Sequence, residues 1–552
     1  MIFVTLWTMK SLKFFVGISL SVLSLIVVIP VEGGVVAHSP RIPVLVGKKV
    51  NPMQKIEIIP GVDPLEMTGM TVDFTGTTDV DDIVSVGIYI AGRGEYSLGE
   101  CLGKRKVKGR GEVRVDVPGM AVGDTLRLWV AVSLRDTVDL SHCVSAHCRE
   151  LLTKDGAVGI ERTGGESHRV GVALRQKRQD GVVSSRIPGL ATANDGTLLA
   201  IFDARHDSRR DLQGDIDIAL HRSTDGGMTW KPMQRIIDMG QWGGLPEKYN
   251  GVSDACILVD RKNGDVYVAG LWMHGALDGD GKWIEGLTAD STYWVHQWKG
   301  RGSQPGTGVK ETCQFLIVKS SDNGLTWSAP RNITAETKRP EWWLYAPSPG
   351  QGITLGDGTL VFPTEGRDKD GVTFSNIMYS QDNGATWVAS EPAYDDVTEC
   401  NAVELDDGAI MLNMRDNRNR KSVEVNGRRV CMTRDLGKTW AEHPTSRSAL
   451  REPVCMGSLH RHHYVSSDGQ PCSVLLFSNP DNPLVRRDMT LKASFDRGIT
   501  WPVENQVLYD ESKGWGYSSI TSIDEHTIGI LYESGLANIV FIAVELDEIV
   551  KK

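Results

Sequence analysis

The chain has 552 residues, of which 40% are hydrophobic and 24% charged, proportions that exclude wholesale disorder, a collagen-like repeat and a multi-span membrane protein. A formal charge of -10 argues against a nucleic-acid partner, because tracking a phosphate backbone needs a positive surface. With 59 glycines, 23 prolines and 15 tryptophans, the composition suits short strands joined by tight turns, and an all-β fold is expected.

At the N-terminus, Lys10 and Lys13 precede an uncharged run from Phe14 to Val31 and then small residues through Ala37. This is the order of a secretory signal, so residues 1–37 are read as one with cleavage after Ala37, the alternative being an uncleaved anchor of near-spanning length. The cleaved chain is then secreted, periplasmic or cell-surface, with no membrane insertion. Nine scattered cysteines do not make a disulfide framework. His142-Cys143 and His147-Cys148 match no zinc spacing and read as an ordinary loop, closed at most by a Cys143 to Cys148 bridge. Residues 38–162 contain alternating stretches at 84–90 and 125–131 and are read as a small β-sandwich, either carbohydrate-binding or a spacer.

Beyond residue 163 one pattern recurs five times: Ser223, Asp225, Gly227, Thr229, Trp230, then the same types from Ser320, Ser380, Thr433 and Ser494. Ser/Thr and Asp bond the backbone of a turn, Gly permits positive φ, and Trp buries a large ring. A carboxylate repeated five times is structural, since catalytic asymmetry does not repeat. The starts lie 97, 60, 53 and 61 residues apart; the last three spacings suit a four-stranded unit with loops. Residues 163–552 then hold about six units, one without the box, consistent with a six-bladed β-propeller. The long first spacing points to an insert around 275–310 containing Trp283, Trp294 and Trp298, either a substrate cover or a loop packed on the scaffold.

With the boxes goes a second signature, Arg186-Ile187-Pro188-Gly189 followed by Leu199-Ala-Ile-Phe-Asp-Ala-Arg205. Together they resemble the bacterial exo-α-sialidases (neuraminidases) with Asp-box repeats, most closely the secreted gut-commensal branch, over residues 163–545 and less securely before that. The resemblance implies hydrolysis of terminal sialic acid from sialylated glycans, glycoproteins or glycolipids, with no metal or other cofactor.

Sialic acid carries its carboxylate on the anomeric carbon, so its site needs fixed cations, and arginine offers a planar fork. By motif, the resemblance implies a triad of Arg186, Arg415 (in Met411-Leu-Asn-Met-Arg415) and Arg486, with the adjacent Arg487 as the alternative third member. The anomeric carboxylate also repels an anionic nucleophile, and sialidases with a tyrosine nucleophile are a known exception to the two-carboxylate rule of glycosidases. Tyr517, in Gly514-Trp-Gly-Tyr517, matches that nucleophile and Glu399, in Thr398-Glu-Cys-Asn401, its base. Asp211 matches the acid/base, with Asp207 and Asp215 as alternatives. Glu533 resembles the carboxylate that orients Arg186, while Arg205 and Asp254 resemble contacts to the sugar's ring substituents. A lectin of the same scaffold needs arginines but neither nucleophile nor base. A trans-sialidase or an anhydro-product enzyme shares every catalytic residue, and the sequence does not separate these from a hydrolase.

Overall fold

Short apolar runs closed by turns form the strands, and several, such as Ser184–Thr192 and Leu198–Arg205, are buried along their whole length, as expected for sheets covered on both faces. The computed structural model describes residues 33–550 except 62–63, 110, 213, 243–246, 276–303, 310 and 422. The run 14–31 and nearly all of the expected insert, including its three tryptophans, lie outside the described residues. Among the described residues no helix is long and apolar enough to cross a membrane.

Two sheets precede the box region. One has the spatial order Glu161–Gly164, Gly34–Ser39, Asn51–Ile59, Leu126–Leu134, Ile83–Ala91, Leu98–Lys106, and the other Gly156–Gly159, His147–Thr153, Leu65–Asp73, Glu112–Val122. Ile56, Val86 and Val130 of the first share a buried core with Met70, Val72 and Leu151 of the second.

The boundary expected after Ala37 is corrected here. Ala37 is fully buried inside Gly34–Ser39 and pairs with Ile56 on one side and Arg162 on the other, so a cut there would break an interior strand of the sheet. The expected division at 162/163 likewise falls within the strand Glu161–Gly164. Cys143 and Cys148 form no bridge; all nine cysteines are free. His142 turns instead to Asp82 (2.8 Å), and Cys148 is buried.

Six further sheets follow. Five are antiparallel meanders whose first strands are Ser184–Thr192, Val252–Val259, Leu344–Pro347, Val397–Glu404 and Ser458–Val465. The sixth joins three C-terminal strands, Ser518–Ser522, Thr527–Tyr532 and Ile539–Glu545, to His168–Arg175 and to Val44–Val46 from the N-terminal segment. It is the unit without a box.

Each box forms the turn after the third strand of its sheet. In the first, Ser223 Oγ donates to Asp225 (2.8 Å) and accepts from Gly227 N–H (2.9 Å), while Asp225 accepts from Thr229 N–H (3.0 Å). The same bonds recur around Asp322, Asp382, Asp435 and Asp496. Two of the box tryptophans pack on other sheets: Trp230 on Phe541 at 5.1 Å between ring centres, Trp387 on Tyr267 at 6.0 Å.

Strand direction separates scaffold from site. In an up-and-down meander the start of the first strand, the end of the second and the second-to-third link share one end, while the third-to-fourth link, where the boxes sit, lies at the other. Arg186, Asp254 and Glu399 are near first-strand starts, Arg205 and Arg415 at second-strand ends, and Asp211, Arg486 and Glu533 in second-to-third links. All belong to the end opposite the boxes.

Candidate active site

Three first strands carry a β-bulge near their start, and each presents a candidate residue. Pairing slips between Arg186 and Gly189, between Ser253 and Cys256, and between Val397 and Cys400; a bulge bends its strand and re-aims side chains. Ile187 (φ 60°) and Asp254 (φ 57°) adopt left-handed backbone there, which costs most for a β-branched residue. Their neighbours hold them: Ile187 N–H donates to Glu533 (2.9 Å) and Asp254 N–H to Asp203 (3.2 Å). At Gly516 (φ 83°) a Cβ would come within 2.8 Å of Pro480 and 3.2 Å of Cys455 Sγ, so glycine is what allows the following Tyr517 to sit where it does.

These elements enclose a cavity of about 940 Å³ lined by Arg186, Asp211, Asp254, Glu399, Arg415, Arg486 and Tyr517. At its floor Tyr517 Oη donates a very short hydrogen bond to Glu399, and Arg415 Nη1 donates to both Glu399 (2.5 Å) and Tyr517 Oη (3.0 Å). Burial and the Glu399 charge push the phenol well above its ordinary range, so it is protonated. Burial also pushes Glu399 up, but Arg415 and the Tyr517 hydrogen bond outweigh it and hold the carboxyl below its usual range. The resting pair is therefore phenol and carboxylate, with the proton already aimed at its acceptor.

Glu533 is fully buried beneath the cavity. It takes Arg186 Nε at 2.6 Å and Nη2 at 3.3 Å, and also accepts from Tyr517 N–H (3.1 Å). One carboxylate thus fixes the arginine and the tyrosine backbone together. Arg486 donates to the carbonyls of Trp515 and Val454, both at 3.0 Å, with its guanidinium 5.6 Å from the Tyr517 ring. Arg487 points away, 3.5 Å from Glu95 of the N-terminal sheets, so Arg486 is the one of the two that faces the cavity.

Asp211 lines the same cavity, 61% exposed and 3.9 Å from Arg186. Its partial desolvation raises its pKa, but Arg205 and Arg186 more than offset that and hold it below the ordinary carboxylate value. Of the alternatives, neither Asp207 nor Asp215 lines the cavity; Asp215 lies in a separate cluster with His206 and Asp217.

Arg205, expected to touch the ring substituents, is placed differently. It is 1% exposed, its donors engaged by Asp203 (2.8 Å), Asp211 (2.6 Å) and the Arg209 carbonyl (3.1 Å). The reason is Asp203, a fully buried carboxylate that also accepts from Ser253 (2.6 Å) and would be left uncompensated without a cation.

Sequence reasoning missed Asp203, Glu365 and Trp515. Glu365 follows the apolar run 360–363 within the strand Leu360–Arg367 and lines the cavity; an acid in a strand that begins so was the available signal. Burial, then the Glu399 charge, push it up to about 8. Asp254 is likewise driven well above its usual range by burial and by Asp203 and Asp211. Glu365 is thus mostly protonated at pH 7, able to donate and accept hydrogen bonds with uncharged groups. Trp515 stacks over Arg186 at 4.4 Å yet stays 44% exposed at the cavity.

The family profile described as a BNR repeat-like domain matches residues 187–520, and that of the N-terminal domain of BNR-repeat neuraminidase matches residues 32–99. The chain is 41% identical over 430 residues to a sialidase of Bacteroides fragilis, covering 77% of this chain and 74% of that one. The chain belongs to the BNR-repeat sialidase family. Within it, a sialidase of Micromonospora viridifaciens is 32% identical over 67% of this chain and 53% of its own length. The solved structure of the Hadza microbial sialidase Hz136 superposes with a TM-score of 0.83 at 36% identity, over 93% of this chain and 100% of that one. The agreement with Hz136 extends across the two N-terminal sheets as well as the box-bearing sheets of this sialidase-family chain.

Proposed function

We propose that the protein is a retaining exo-α-sialidase that removes terminal sialic acid from glycoconjugates through a covalent intermediate on Tyr517. The observation that carries this reading is in the cavity: a buried phenol donating to Glu399, both held by Arg415, with Asp211 lining the same cavity.

The six box-region sheets are read as blades of a propeller. Ser184–Thr192 contacts Val252–Val259 and Ser518–Ser522, Val252–Val259 contacts Leu344–Pro347, Ser458–Val465 contacts Val397–Glu404 and Ser518–Ser522, and Val397–Glu404 packs on Leu360–Arg367 of the Leu344–Pro347 sheet, a succession that supports a closed ring. His168–Arg175 pairing with Ile539–Glu545 joins the two ends of that ring. The arginines of three different blades then converge where the sialic acid carboxylate is placed, on Arg186, Arg415 and Arg486.

In the first step Tyr517 Oη bonds to the anomeric carbon as its proton passes to Glu399, and the glycosidic oxygen leaves with a proton from Asp211. In the second, water attacks the same carbon, gives its proton to Asp211, and the phenolate leaves, recovering its proton from Glu399. Attack by a neutral phenol avoids bringing a carboxylate against the substrate's own anion. The substrate carboxylate has a second effect: by neutralising the field of Arg186 and Arg486 it relieves the pull that keeps Asp211 ionised, readying it as an acid once substrate is bound. Asp254 and Glu365, both pushed toward the protonated form, face hydroxyl and amide substituents of the ring.

Incubation with 2,3-difluorosialic acid, whose anomeric fluorine leaves as fluoride in the first step and whose C3 fluorine slows the second, tests the reading. Peptide mass analysis is expected to place the adduct on the Tyr517 peptide. Turnover with an adduct elsewhere, or inactivation without one, overturns it.

A further inference from the structure

The cavity carries more positive charge than one sialic acid can use. Six cationic side chains line it against four carboxyls, and two of the four, Glu365 and Asp254, are pushed above their ordinary range by burial and neighbouring charge. Arg186 is matched by Glu533 and Arg415 by Glu399. Arg486 donates only to carbonyls in the unliganded protein and is satisfied by the single carboxylate of a sialic acid. Arg367 closes the strand that carries Glu365 and interacts with that carboxyl, which leaves Arg420 and Lys513.

Arg420 ends the short helical turn Asn417–Arg420, in the link that follows Arg415. Among the described residues it forms no ion pair, although three arginines near it in the sequence find acids: Arg418 bonds Asp395 (2.8 Å), Arg447 lies 3.2 Å from Asp416, and Arg429 pairs with Glu442. Carboxylates are thus at hand, yet Arg420 is directed into the cavity, where burial and the like charges of Arg415 and Arg486 lower its pKa. Arg420 remains exposed to solvent there, and the like charges of its neighbours favour the arrival of an anion beside it. Lys513, two residues before Trp515, lines the same cavity, also without an ion pair among the described residues.

Chemistry says where that anion is. The anomeric carbon bears both the carboxylate and the scissile oxygen, so a cation next to the arginines that hold the carboxylate is also next to the first residue of the leaving group. We infer that Arg420 and Lys513 form a subsite for a second anionic group on the leaving-group side, making sialosides with a charged aglycone the preferred substrates. This rests on the sialidase reading above. Two sources share the chemistry: the carboxylate of a second sialic acid in an oligosialyl chain, and a sulfate ester on a neutral sugar.

The test compares kcat/KM of the wild type and of the Arg420→Gln/Lys513→Gln double variant on 3′-sialyllactose, on an α2,8-linked disialyl-lactose and on a 6-sulfated sialyl-N-acetyllactosamine. Partly exposed ion pairs are worth little each, so the expected effect is a fall of roughly fivefold in the ratio of charged to uncharged aglycone. Loss of that preference with added salt is expected too. A fall confined to the disialyl or to the sulfated arm identifies the source. An unchanged ratio on both, or equal losses on all three substrates, overturns the subsite. Calorimetric binding of the intact disialyl compound to Tyr517→Phe and to Tyr517→Phe/Arg420→Gln/Lys513→Gln reads the same subsite without turnover. If Tyr517→Phe binds both aglycone types equally, the inference fails even where the hydrolase reading stands; if the wild type cleaves none while this binding difference persists, it is the hydrolase reading that fails.

Discussion

Asp211 and Glu365 are both carboxyls at the cavity, and their surroundings push them in opposite directions. Arg205 and Arg186 hold Asp211 low, whereas burial and the Glu399 charge push Glu365 up to about 8. Replacing Asp211 by Ala is expected to cost on the order of 10²- to 10⁴-fold with sialyllactose, whose sugar alcohol needs a proton to leave, and little with an aryl sialoside, whose phenol does not. Equal losses on the two substrates would make Asp211 a positioning residue. For Glu365 the sign is fixed by its direction: neutral below about pH 8, it ionises above it and adds a negative charge next to Glu399, opposing an anionic substrate. The wild-type kcat/KM should therefore decline above pH 8. Glu365→Gln, which mimics the neutral acid, should stay close to wild type at pH 6 to 7 and lose that alkaline decline; persistence of the decline would assign it to another group. Residue-level legibility was uneven for a physical reason. Tyr517, Glu399 and Arg415 stand in short motifs, but Arg205 was read as a sugar contact because the sequence does not show that Asp203 is buried beside it and occupies its donors.

At the scale of the element, the box turns were the most legible feature, since every bond in them is local: a side chain two residues away, an N–H four residues away. Hydrogen bonds from Thr326 and Thr439, within such turns, lower Asp322 and Asp435 to about 2. A carboxyl whose folded pKa lies below its unfolded value near 3.9 contributes stability that is fully present above that value and disappears as pH falls through the folded pKa. Thermal stability is thus expected to drop between about pH 4 and 2. Asp322→Ala should lower the melting temperature by about 2–4 °C at neutral pH, flatten the acid loss and leave kcat/KM of the folded protein near normal, because the box lies at the end of its sheet away from the cavity. Loss of turnover in protein shown to be folded would contradict a purely structural role for the boxes. The bulges at Arg186, Asp254 and Glu399 left no comparable mark, because a register slip is set by pairing with a distant strand.

For the whole molecule, the repeat spacing anticipated six units with one lacking the box, yet the division between N-terminal and box-bearing regions was drawn too simply. Val44–Val46 leaves the N-terminal sheets to pair in parallel with His168–Arg175, and a three-residue strand partnered more than 120 residues away has no local signature. Leu45 is fully buried there with Val540 and Ile542, so the two regions should melt in one transition. Leu45→Ala is expected to cost about 2–5 kcal/mol and to lower that single midpoint; two resolved transitions in the wild type would show independent regions.

The arrangement of Tyr517, Glu399 and Arg415 makes one claim above the others, that the phenol bonds to the anomeric carbon. Two successive displacements at that carbon give net retention. Time-resolved proton NMR of wild-type hydrolysis, recorded before mutarotation, should show α-sialic acid as the first product; a first-formed β anomer would contradict the covalent Tyr517 mechanism.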